Sequence, residues 1–154
     1  MKLNLIGPVN SLSYGVVTKN IIKNLSQLGH DVCLLPIHIE ENEKENFKTE
    51  LENGKEKFDC NSTTIKIWHQ FDASMPNITG EKILFTIFEL NRLTEKEVEQ
   101  LNSVSRVIVC SRWAANVCIE SGVTVPVCVV PLGVDREIFN ENDRVKSEFT
   151  RFCV

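Results

Sequence analysis

Residues 106–139 limit what this chain can fold into more than any other stretch, because a strand, a helix, a second strand and a structured exit follow one another there with little between them. Val107, Ile108, Val109 and Cys110 form a short unbroken apolar run, the mark of a strand covered on both faces. Ser111 follows as a helix cap for Trp113 to Ser121, where Ala114, Val117, Cys118 and Ser121 recur at helical spacing and Gly122 supplies a left-handed stop. Pro126 has no amide for a ladder and can only open the next strand, Val127 to Val130, again read as buried on both sides. A strand–helix–strand unit with so short a crossover requires parallel strands, and parallel sheets bury both faces. The chain is expected to be a layered α/β domain with a Rossmann-like open parallel sheet flanked by helices.

The remaining segments fit that plan. Lys2 to Ile6 reads as a first, central strand broken by Gly7 and Pro8. Gly7 to Gly15 reads as a loop of turn formers, and Val17, Ile21, Leu25 and Leu28 mark one face of a helix that Gly29 stops. Val32 to Ile37, Thr64 to Phe71 and Lys82 to Phe88 are read as further strands, and Thr94 with Glu97 has the spacing of a capping box before a short helix. Glu40 to Lys57 holds seven acids and four bases and is expected to form an exposed helix.

Composition restricts function. With 154 residues, 42% of them hydrophobic and 25% charged, the chain suits one globular core. A formal net charge of -4 argues against a nucleic-acid partner, which needs a basic face. No apolar run reaches the roughly 18 residues of a transmembrane segment and no leader pattern opens the chain, so a cytoplasmic location is expected. Six cysteines without a Cys-x-x-Cys pair suit reduced core packing better than disulfides, and no metal is expected. Asn61-Ser-Thr63 and Asn77-Ile-Thr79 match the glycosylation acceptor pattern and are read as chance.

An open parallel sheet binds ligands beyond the carboxyl ends of its strands. The residues to inspect there are Gly7 to Gly15, His69, Glu89, Ser111 and Gly133. The amides at Gly15 and Val16 could face an anion at a helix start, although the spacing from Gly7 to Gly15 excludes the dinucleotide fingerprint. His69, read as a strand end, offers an imidazole to hydroxyl groups, against the simpler reading of a histidine satisfied in place. Glu89 closes Thr86-Ile-Phe-Glu89 with a carboxylate that would bind hydroxyls or cap the next helix. Ser111 and Trp113 are most simply a helix cap and a packing aromatic.

Ser111 with Trp113 at a helix start, Gly122-Val123 at its end and Pro131-Leu-Gly-Val-Asp135 before Phe139 resemble the N-terminal half of GT-B glycosyltransferases, family 4-like and of the retaining type. The resemblance covers nearly the whole chain and is strongest from Lys82 to Phe139. It implies one half of a GT-B fold, with residues 1–140 as an acceptor-side domain and 141–154 as a linker and the first strand of a C-terminal donor-binding domain. It also implies a sugar transferred from a nucleotide-sugar donor, with no cofactor, to an acceptor held near Gly15 and Glu89, and His69, named from its strand-end position alone, is expected to converge on the same acceptor-side cleft. Gly133 and Asp135 would border the cleft between the domains, although a glycine at 133 would also permit a positive φ. Such a chain alone is expected to be inactive, and its orphan strand, Phe149 to Val154, would offer an edge for a homodimer. Two other classes compete: a small nucleotide-binding Rossmann-like protein, and a non-catalytic α/β binding domain of receiver type. The missing glycine fingerprint disfavours the first, and the lack of clustered acids at Gly7-Pro8-Val9 disfavours the second.

Overall fold

The computed structural model describes residues 1–136. In chain order the elements are β1 (Lys2–Val9), α1 (Ser13–Gln27), β2 (Asp31–Ile39), a single 3-10 turn (Glu41–Glu43), α2 (Lys48–Glu56), β3 (Thr64–Ile67), β4 (Lys82–Thr86), α3 (Glu95–Asn102), β5 (Arg106–Val109), α4 (Arg112–Ser121) and β6 (Val127–Val129). The six strands form one sheet in the order β2-β1-β3-β4-β5-β6, every neighbouring pair parallel. The fold is thus the Rossmann-like open sheet that the apolar runs foretold.

Alternation along the strands sorts two apolar layers. Leu5, Val9, Val32, Leu34, Ile67 and Phe85 pack with Tyr14 and Ile22 of α1, and Phe47 and Leu51 close this layer from the α2 side. On the other face, Leu84, Val107 and Val109 pack with Leu101 of α3, with Ala114, Val117 and Cys118 of α4, and with Ala73, Met75 and Ile78 from the β3–β4 loop. That face also takes in polar groups. Asn4 is fully buried and donates to the Asp59 carbonyl (2.8 Å) and the Thr64 hydroxyl (3.0 Å). Lys66, 4% exposed, meets Asp72 and the Ser74 carbonyl, each at 3.0 Å. The β3–β4 loop, rather than a helix, satisfies that ammonium group.

Local signals account for the helix ends. Thr94 and Glu97 form the capping box, the Thr94 amide donating to the Glu97 carboxylate at 2.7 Å. The Ala114 amide donates to the Ser111 hydroxyl at 3.1 Å, and Gly122 takes φ 103° at the other end of α4.

Several boundaries differ from the sequence expectation. β1 continues through Gly7 and Pro8 to Val9, because a register shift between Gly7 and Pro8 absorbs the proline, which pairs with His38. It is one strand in from the edge rather than central. Gly15 therefore lies in the first turn of α1, not in a loop. The strands expected at Thr64 to Phe71 and Lys82 to Phe88 stop at Ile67 and Thr86. The acidic segment is not one exposed helix. It breaks into the 3-10 turn and α2, and Asn53 and Gly54 are buried where α2 lies against the Leu34 backbone. β6 is half-exposed rather than buried on both sides, since it is the last strand of the sheet among the described residues. The expected linker at 141–154, the strand from Phe149 and the homodimer through it lie outside the described residues.

Candidate functional site

The carboxyl ends of β1, β3 and β4 meet at a residue the sequence did not single out, Tyr14. Sitting in the first turn of α1 and 8% exposed, it sends its phenol across the sheet edge to Ile87, just past β4. The hydroxyl donates to the Ile87 carbonyl and accepts from the Ile87 amide at 3.0 Å. Two backbone groups with no further ladder partner are thus closed by one side chain. Burial pushes the Tyr14 phenol above its ordinary value of 10.0, against a smaller downward pull from Thr86 and from the Ile87 backbone. The Thr86 hydroxyl is itself buried and has no hydrogen-bond partner of good geometry, so it acts on Tyr14 by proximity. The sequence carries no periodic signal for this contact, because the partners are 73 positions apart.

The Tyr14 ring organises the neighbouring aromatics. His69 meets it edge-on with centroids 4.7 Å apart, and Trp68 lies 5.9 Å from it. Trp68 and His69 are edge-on at 5.0 Å, and Phe71 stacks on His69 at 4.9 Å with the planes 11° apart. The Trp68 amide still donates to the Phe85 carbonyl of β4 at 3.1 Å, and the chain leaves the ladder after it, at His69, whose ring meets Tyr14 of α1. His69 lies past the strand end, half-buried, and no described residue hydrogen-bonds its ring.

The predicted residues fare differently. Gly15 is buried against Asn10, and a Cβ there would come within 2.6 Å of the Asn10 carbonyl oxygen and 2.7 Å of its nitrogen. The glycine is needed so that α1 can seat on the end of β1. Its amide and that of Val16 both donate to the Leu12 carbonyl, at 2.7 and 3.2 Å, so neither faces an anion. Glu89 lies exposed beyond Ile87 and past the end of β4, and the capping alternative fails because Thr94 caps α3. Tyr14 thus joins three of the predicted segments: its own turn with Gly15, the loop with His69, and the Ile87–Glu89 exit. Gly133 and Asp135 follow β6, two strands away from β4 along the sheet. Gly133 is exposed, does not take a positive φ and has open space where a Cβ would sit, so no backbone requirement explains the glycine. Asp135 is half-buried. Ser111 caps α4, and Trp113, 48% exposed, packs at 6.2 Å from Phe88.

Among the described residues, no three His, Cys, Asp or Glu side chains are grouped to hold a metal ion, and Cys33, Cys60, Cys110, Cys118 and Cys128 are free thiols. No described helix is long and apolar enough to cross a membrane. No protein-family model matches the chain, and no curated protein matches it.

Proposed function

We propose that residues 1–136 form the acceptor side of a glycosyltransferase that moves a sugar from a nucleotide-sugar donor to a hydroxyl acceptor in the cytoplasm. The supporting observation is the junction at Tyr14, which gathers the first turn of α1, the His69 loop and the Ile87–Glu89 exit at the carboxyl edge of one parallel sheet. The first and last of those are segments to which the sequence resemblance assigns the acceptor, and an open parallel sheet binds ligands along that edge. In this reading Glu89, exposed and with no described partner, orients an acceptor hydroxyl, while the free imidazole of His69 offers a second polar contact. Gly133 and Asp135 border the donor. Transfer needs the leaving phosphate held and neutralised while the acceptor is positioned, so the donor site is assigned to a following domain.

The test is a transfer assay with common nucleotide sugars and a broad acceptor panel. It compares residues 1–154 with the product of the uninterrupted reading frame that contains them. We expect turnover only from the longer product, reduced by Glu89→Ala with the melting temperature unchanged. Transfer by residues 1–154 alone would overturn the assignment of the donor site to another domain. A longer product that neither binds nor turns over any nucleotide sugar would overturn the glycosyltransferase reading.

A further inference from the structure

The helix α2 is seated on β2 by an Asn-Gly pair. Its two buried residues are Asn53 and Gly54, while Leu51 and the preceding Phe47 are only half-buried. The Asn53 side-chain amide donates to the Asp31 carboxylate at 3.0 Å and to the Val32 carbonyl at 3.4 Å. Gly54 lies so close to β2 that a Cβ on it would fall 2.1 Å from the Leu34 carbonyl oxygen. Little else holds the helix. It has nine residues, Phe47 gives it no side-chain cap, and a helix of that length is marginal without tertiary packing. A short, polar, weakly capped helix belongs to the part of a fold that opens locally before the rest.

We propose that Asn53 is a deamidation site gated by the opening of α2, and that its reaction unseats α2 from β2 irreversibly. In an open chain the Gly54 nitrogen attacks the Asn53 side-chain carbonyl and loses its proton, a C–N bond closes a five-membered succinimide, and ammonia leaves. Water then opens the ring at either carbonyl to give aspartate or isoaspartate, so no other reactant is needed. Glycine favours the attack because no Cβ crowds its nitrogen. The seated helix blocks it twice: the Gly54 amide lies within the helical ladder, and the Asn53 side chain is turned away to Asp31 and Val32. The product cannot return to the same seat. A carboxylate at position 53 has no hydrogen to donate and would face the Asp31 carboxylate and the Val32 carbonyl acceptor to acceptor. Isoaspartate also adds a carbon to the backbone where the helix meets Leu34 most closely. Losing α2 bares β2, the first strand of the sheet among the described residues.

The experiment incubates the 154-residue chain at neutral pH beside a peptide of residues 48–57, follows deamidation at Asn53 by peptide mass mapping, and measures hydrogen exchange of the α2 amides. We expect Asn53 to react at least roughly tenfold more slowly in the chain than in the peptide, by the factor that the exchange protection of α2 gives, and mild urea to raise both rates in parallel. Asn53→Asp, which mimics one product, should lower the protection of α2 roughly tenfold or more and leave that of β1 and β4 unchanged. Should that variant fail to fold, aged wild-type chain separated by charge supplies the same comparison. Equal rates in chain and peptide would remove the gate. Exchange of the α2 amides without the matching deamidation, or α2 equally protected after the change to aspartate, would overturn the proposal.

Discussion

Replacing Tyr14 with phenylalanine tests whether one hydroxyl holds the end of β4 in place. The ring and its contacts with His69 and Trp68 remain, so the loss is confined to the two hydrogen bonds with Ile87. A hydrogen bond contributes about 1 kcal/mol net, and stranding its partner away from water costs about 1–3 kcal/mol. Ile87 is half-buried, so water can reach part of the vacated space, which favours the lower end of that range. A total loss of about 1–3 kcal/mol is expected, which lowers the melting temperature by roughly 3–10 °C for a domain of this size. Tyr14→Ala, which also empties the ring's place in the core, should cost about 3–5 kcal/mol. The alkaline edge gives an independent check. The phenol ionises at its ordinary value near 10.0 in the unfolded chain but only at higher pH when folded, because burial raises it. Its contribution is thus complete below pH 10.0 and is lost as pH rises through the folded value. Burial pushes the Cys118 thiol up to about 11, which acts in the same direction but equally in both proteins. The stability gap between wild type and Tyr14→Phe should therefore narrow above pH 10.0. Thermal unfolding at neutral pH and denaturant titrations across the alkaline range measure both effects. A variant that melts within about 1 °C of wild type, below what even one lost hydrogen bond predicts, would refute the junction.

Gly15→Ala should destabilise by about 1–3 kcal/mol, because the added carbon meets the Asn10 backbone, whereas Gly133→Ala should be neutral because nothing lies near it; paired thermal melts decide, and equal effects would contradict the packing at Asn10. Burial raises the Glu97 carboxyl, but hydrogen bonds from the Thr94 amide, Gln70 and the Thr94 hydroxyl outweigh it and leave the group below its ordinary 4.5. Its stabilisation is present above pH 4.5 and lost as pH falls through the lower folded value, so Glu97→Gln should cost about 1 kcal/mol at neutral pH and progressively less in acid, as read by denaturant unfolding at a series of pH values.

The parallel sheet was legible in the chain itself. Unbroken apolar runs at Val107 to Val109 and Val127 to Val129, separated by a capped helix, leave few other arrangements, and the observed pairing sets Val107 against Val127 and Val109 against Val129. Caps were legible for the same reason: Thr94, Glu97, Ser111 and Gly122 act on backbone groups within one turn of themselves. Periodicity reports which face of an element is apolar, and little about what happens where an element ends. The passage of β1 through Pro8 depended on a register shift against β2, and β3 leaves the ladder at His69, whose ring meets Tyr14 of α1. Lys66 and Asn4 are polar residues within strands, yet both are buried, because the loop after β3 supplies Asp72 and the Ser74 carbonyl to Lys66, and residues 55 and 60 positions away supply partners to Asn4. Gly15, His69 and Glu89 could be named from their positions after apolar runs, but their common link through Tyr14 could not. That link is a hydrogen bond between groups 73 residues apart, which exists only once the strand order β1-β3-β4 has set the first turn of α1 beside the exit of β4.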